Sequence, residues 1–280
     1  MFFKSTYNEL IKIIAKPRSY LGLAAITLIV GLILLAMKLD GGMYISLLTS
    51  PFEESLTFEG NLLNGNLVGF IILQMLIIHV PLLIAFVTGD LVSGEAAMGT
   101  IRMLLTKPVS RTKILLSKYL AGCIYTFFVL VWLAFMAIIM GKWLFGIGDL
   151  MVLKSDGLVV LQQEDVAWRF FFGFAIAFLS MVMIATLSLT FSCFSENSIG
   201  PIVSTMGIII LFTIIGTIEV PLFDTIRPYL FTTHMAAWRF MFDKPLLLNE
   251  LWFSLTVLLA HIFVLLGIAL YKFQRKDILS

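Results

Sequence analysis

The chain has 280 residues, 60% of them hydrophobic and only 13% charged, with a mean hydropathy of +1.03. A soluble domain carries roughly twice that share of charge, so lipid is the expected solvent for most of the molecule. A net charge of +2 gives no reason to expect a nucleic-acid partner, and two distant cysteines, Cys123 and Cys193, without CxxC spacing, give none to expect redox or metal chemistry.

Residues 2–16 begin the pattern, with Phe3, Tyr7, Leu10, Ile11 and Ile14 at helical spacing and Lys4, Asn8 and Lys12 off that face. The spacing predicts an amphipathic helix lying in the membrane interface, turned by Pro17 into the first span. No cleavable signal peptide is expected, because the first apolar run is long enough to remain as an anchor. Stretches free of Asp, Glu, Lys and Arg then place spans at 19–37, 66–89, 119–141, 170–194, 198–218 and 251–271. An unpaired charge at mid-bilayer is costly, and each stretch is long enough for a helix to cross about 30 Å of hydrocarbon. The predicted fold is an all-α membrane protein of six transmembrane helices. Spans four and five form a tight hairpin about the polar break at 195–198, and the acidic, Gly-containing segment 38–64 is an outer loop.

Orientation follows from the basic residues. With a cytoplasmic N-terminus, the inner segments hold 12 of the 19 Lys and Arg against five of the 17 acids. Trp143, Trp168, Trp238 and Trp252 then fall near outer ends of spans, at headgroup level. Both termini are therefore expected inside, in a bacterial cytoplasmic membrane. Segment 219–249 is apolar but interrupted by Pro221, Pro228, Pro245 and several charges. Two forms fit it: a re-entrant helical hairpin between spans five and six, whose backbone is satisfied against protein, or an outer loop carrying a short surface helix.

The polar insert at 90–118 between spans two and three combines carboxylates, glycines and five basic residues. Asp90 follows span two directly. Ser93-Gly94-Glu95 can start a helix, Ser93 capping its N–H groups and Glu95 favouring its dipole. That helix is expected over 95–105, with Gly99 and Thr100 allowing close backbone approach. Lys107-Pro108 ends it, and Ser110 caps the next helix through Arg111, Lys113 and Lys118 into span three. The product is a short cytoplasmic helix joined to two spans.

Asp90, Ser93-Gly94-Glu95, Gly99-Thr100, Leu104-Leu105, Pro108-Val109-Ser110-Arg111 and Lys118 together resemble the pattern of type-2 ABC exporter permeases. The likeness is greatest to the branch that includes the nitrous-oxide-reductase maturation permease. In that family the segment is the coupling helix, which docks on a nucleotide-binding subunit. The resemblance implies that Asp90, Ser93, Gly94, Glu95, Gly99, Thr100, Leu104, Pro108 and Arg111 couple the chain to an ATPase, with Glu95 as a direct contact. It further implies two ATPase copies holding ATP and Mg, a second permease copy, identical or related, and an extracytoplasmic partner if force is passed outward. No cofactor is expected on this chain, nor catalysis by it: the sequence lacks a GxxxxGK[ST] loop.

His79 and His261 lie near the middles of spans two and six, and Gln74 with Pro81 adds polarity around His79. Such residues line a path or dimer seam, or are neutral groups bonded to neighbouring helices. Gly146-Ile147-Gly148-Asp149 matches the GxGD pattern of intramembrane aspartyl proteases, but no span contains an aspartate to pair with it. His79 is followed by Val80-Pro81, so there is no HExxH zinc motif. The expected function is therefore an export permease. Its alternatives are a force-transmitting subunit that moves no solute, an intramembrane enzyme, and an ion-driven secondary transporter, for which internal repeats would be usual.

Overall fold

The computed structural model describes residues 2–50, 62–76, 79–100, 103, 109–154 and 157–276. Helix α1 (Phe2–Ala15) stops just before Pro17, as the restriction on pre-proline residues requires, and α2 (Arg18–Thr49) follows. The first span is longer than its charge-free core: α2 passes through Lys38 and bends at Asp40, whose φ of −131° leaves the helical region. Much of the expected outer loop is thus helical, while residues 51–61 lie outside the described residues.

The second span is two helices, α3 (Gly65–Leu76) and α4 (Val80–Thr88), set at 53°. Pro81 stands at the start of α4, where its missing N–H and its ring oppose continuation of the preceding helix. Helix α5 (Asp90–Ala97) continues from α4 through Gly89. Span three is α6 (Arg111–Ala134), one π turn at Phe135–Ile139, and α7 (Met140–Phe145). As expected, Ser110 accepts a hydrogen bond from Lys113 N.

An antiparallel hairpin of β1 (Leu150–Lys154) and β2 (Gly157–Leu161) follows, an addition to the otherwise helical fold that the span pattern did not predict. Then come α8 (Gln163–Phe194), α9 (Ile199–Thr217) and, last, α11 (Leu248–Arg275). The connection before α11 holds short 3-10 turns at Pro221–Phe223, Arg227–Tyr229 and Ala237–Phe242, with the one-turn α10 (Phe231–His234) between. No pair of helices forms there. Pro221 and Pro228 open two of these turns, and the segment is a loop of short turns packed on α8 and α11 rather than a helical hairpin.

Among the described residues, five helices are long and apolar enough to cross a membrane, and six spans result when the bent α3–α4 pair counts as one. The chain is a multi-pass integral membrane protein. Helix α8 is its hub, with 67% of its most apolar stretch buried, whereas α9 has only 11% buried and leaves Val203, Ile210 and Ile214 exposed. At one end of the bundle α1, α5, the start of α6, the 195–198 turn and the end of α11 gather (the basic pole). The hairpin and the 219–247 loop close the other end (the hairpin pole).

Candidate functional site

Helix α1 sits against α6 with its polar side inward. Thr6, Glu9 and Ile13 are buried, whereas Phe3, Tyr7, Ile11 and Ile14 face away from the bundle. Apart from Leu10, which packs partly on the core, the apolar stripe expected to lie in the interface faces away from the bundle, and Ile13 with the charges opposite it does the docking. Lys118, in the third turn of α6, has a side chain only 1% exposed. Its Nζ lies 2.7 Å from Glu9 Oε2 and 2.8 Å from Glu95 Oε2. Lys12 Nζ closes the other side, 2.7 Å from both Glu9 Oε1 and Glu95 Oε1. The four groups form a neutral ring in which each carboxylate gives one oxygen to each ammonium.

A second cluster adjoins it: Asp90 Oδ2 takes Lys16 Nζ at 2.8 Å and the Arg18 guanidinium. Burial alone would push the Glu95 carboxyl up, but Lys118 and Lys12 outweigh it and hold the group below its ordinary value. Burial likewise opposes the Lys12 charge, and its bonds to Glu9 and Glu95 reverse that, raising it above the usual lysine value. Removing several charges from water costs several kcal/mol per ion, which only close, complete pairing offsets. The ring's four contacts are all close, and Lys12, 45% exposed, keeps part of its hydration, although Glu95 Oε2 meets Lys118 as an ion contact without hydrogen-bond geometry. The ring's chemistry is mechanical, tying α1, α5 and span three together.

The insert motif takes on definite roles. Helix α5 starts at Asp90, so Ser93 is not its cap. The Ser93 hydroxyl instead donates to Gly89 O at 2.7 Å. Two buried N–H groups of α5 are met from α8: Ser192 Oγ accepts from Val92 N at 3.1 Å and Ser93 N at 2.9 Å. Gly94 is required by proximity, since a Cβ there would run into the Asp90 carboxylate one turn earlier. Within the expected helix over 95–105, Gly99 adopts φ +69°, the left-handed conformation that ends helices, so α5 stops at Ala97; helical backbone recurs at Thr100 and Met103, and 101–102 and 104–105 lie outside the described residues. Thr100 Oγ1 donates to Glu95 O at 3.3 Å across that end. Leu104, Leu105 and Pro108 lie outside the described residues.

Glu95 is therefore buried in the ring, and Asp90 to Glu95 are all covered. At the free end of α5, Ala97, Met98 and Gly99 are exposed. Arg111 also points inward, its guanidinium donating to Gln274 O at 2.9 Å and Lys276 O at 2.8 Å, so it fastens the end of α11 to span three.

A family model described as "Protein of unknown function (DUF2705)" matches residues 24–279. The chain belongs to the DUF2705 family. This DUF2705 protein is also similar to the uncharacterized protein YhcI of Bacillus subtilis (strain 168), with 23% identity over 198 residues, 69% of this chain. That match covers 62% of YhcI, so the chain spans less than two thirds of this relative's length. The family match includes Asp90, Glu95 and Lys118, while Glu9 and Lys12 precede it.

Within this DUF2705 chain the two histidines expected to line a path are not joined. His79, exposed at the break in span two, bonds through Nδ1 to Met75 O at 2.9 Å. His261 bonds to Val257 O at 2.9 Å and meets the Phe231 ring. Gln74 is half-buried one turn and a half before His79. Sequence reasoning missed Glu9 and Lys12 as site residues, Lys12 being absorbed into the general excess of inner cations, and it placed Lys118 in the motif without a role in the site. The available signal was the Glu9–Lys12 pair on the polar side of an amphipathic helix, together with a lysine more than a turn inside the apolar α6.

Proposed function

We propose that this DUF2705 protein is the permease subunit of an ATP-driven exporter, working as a dimer of permease copies beside two copies of a separate ATPase subunit. The observation that carries the reading is the placement of α5. It is a short helix continuous with span two, clamped by the ring to α1 and span three, with only its Ala97–Gly99 end free to meet a partner. A push on that end reaches two spans at once. The motif at 90–118 supports the same reading, with the basic pole cytoplasmic. Glu95 and Asp90 then act by rigidifying α5, and Met98, 60% exposed, makes the contact. The break at His79 fits a path between two copies, since an irregular backbone at membrane depth needs protein or water beside it.

The test is purification of the tagged chain from its native membrane in detergent, wild type beside Met98→Asp. An ATPase subunit should accompany the wild type. Met98→Asp should lower ATP turnover of the complex at least tenfold while leaving thermal unfolding unchanged. Recovery of the wild type without any ATPase, or equal turnover in both forms, would sink the proposal.

A further inference from the structure

We propose that the ends of α8 and α11 at the basic pole form a binding site for one anionic phospholipid, a site that does not depend on the export reading. Three of the acids at this pole, Glu9, Asp90 and Glu95, are buried and paired with Lys12, Lys16, Arg18 and Lys118. Among the described residues, the internal pairing leaves the cations of the outer rim without a carboxylate. Lys272 and Arg275, one turn apart on α11, have no carboxylate partner among the described residues, and the exposed Glu196 of the neighbouring turn pairs with neither.

Each cation lies over an aromatic ring instead. Lys272 Nζ is 5.2 Å from the centre of the Phe194 ring, and the Arg275 guanidinium is 4.4 Å from that of Tyr271. A ring quadrupole holds a cation in place without neutralising it, so the positive charge stays available to a phosphate. Phe194 and Tyr271 are 53% and 58% exposed at the ends of two membrane-crossing helices, at the depth where headgroups lie.

The site is also fixed in shape. Lys276 Nζ turns inward to Cys193 O at 3.3 Å and Ser195 O at 3.2 Å, pinning the end of α8 to the end of α11. Above the two cations, Val264, Ile268 and Tyr271 form an exposed apolar ridge along one side of α11. A phosphate group at Lys272 and Arg275 with an acyl chain along that ridge satisfies both parts, which a free anion cannot do.

Native mass spectrometry of the detergent-purified chain, titrated with phosphatidylglycerol or phosphatidylcholine, tests this. The wild type should retain phosphatidylglycerol in preference. Lys272→Gln with Arg275→Gln should cut that preference roughly thirtyfold, as expected for two basic residues at a lipid surface. Lys272→Arg should keep it, which separates lost charge from lost fold, and so should Lys244→Gln at the hairpin pole. Equal retention of both lipids by the wild type, or an undiminished preference in the double variant, would overturn the site. Displacement of the bound lipid by millimolar inorganic phosphate would do so too, by showing a simple anion pocket.

Discussion

At the basic pole, Glu9, Glu95, Lys12 and Lys118 spend their charges on one another, and Asp90 takes Lys16 and Arg18. At the hairpin pole, polar side chains hold the main chain instead. Asn64 Nδ2 donates to Asp149 O at 2.8 Å and Asn66 Nδ2 to Gly148 O at 2.6 Å. The Arg169 guanidinium donates to Met241 O at 2.7 Å and Asp243 O at 3.0 Å. The difference is physical. A carbonyl keeps its acceptor whatever the state of other side chains, whereas each member of an ion ring depends on the charge of every other. One pole is built to stay, the other to be lost or kept as a unit. For a helix that must pass movement from a partner to two spans, the second arrangement is the useful one.

Removal of the ring's most buried member should have the largest effect. Lys118→Met leaves Glu9 and Glu95 facing each other without a buried cation, and breaking a buried pair from one side costs about 3–5 kcal/mol. Thermal unfolding in detergent should fall accordingly, and limited proteolysis should release α1 first. Adding Glu9→Gln alone to the same variant should recover much of the loss, because Lys12 and Glu95 then balance each other. An unchanged midpoint for Lys118→Met would mean the ring does not hold α1 and α5 together.

The spans were legible because the physics behind them is local: a charge-free run of sufficient length has few places to go but lipid. Their ends were not, since Lys38, Lys142 and Glu164 sit in helices that continue beyond the hydrocarbon-length core. Pro81 and Gln74 marked span two as unusual, yet the 53° bend needed the structure. Asp90 and Glu95 stood out as acids in a basic insert. Two of their partners did not, because Lys12 is 83 residues from Glu95, and Lys16 is 74 from Asp90. Only tertiary packing brings such groups together, and it also turned an expected surface contact at Glu95 into a buried one.

The corresponding change at the hairpin pole should be milder. Arg169→Met removes two charge-assisted bonds to main-chain carbonyls, and bonds of this kind contribute about 1.5–3 kcal/mol each before the surroundings relax. The orphaned carbonyls of Met241 and Asp243 belong to a loop that can shift toward water, so a net loss near the lower figure is expected. The loosening should be confined to 237–243, seen as faster amide exchange there with α1 protected as before. Loss of protection in α1 would show that the two poles are not independent.

Acid should separate the poles by the smallest effects of all. His234 bridges the hairpin pole, with Nε2 at 2.8 Å from Pro228 O and Nδ1 at 2.9 Å from Ser254 Oγ. Burial, helped by His261 and opposed by the Pro228 carbonyl, lowers it from the ordinary 6.5. The unfolded chain therefore takes up this proton at higher pH than the folded one, and the contribution to stability, complete above 6.5, fades as pH falls through the lowered folded value. Glu95 is held below its ordinary 4.5 despite burial, by Lys118 and Lys12, so its contribution is complete above that value and lost as pH falls through the lowered folded one. Lys12, raised above 10.5, sets the alkaline limit: its contribution is complete below that value and lost as pH rises through the folded one. Amide exchange followed down the pH scale should then loosen 231–242 before 2–15. His234→Gln should abolish the first step and leave the second, while Glu95→Gln should blunt the second and leave the first. A single concerted step would mean that the ring and the loop open together, and that the charge lattice of one pole is coupled through α8 to the carbonyl anchors of the other.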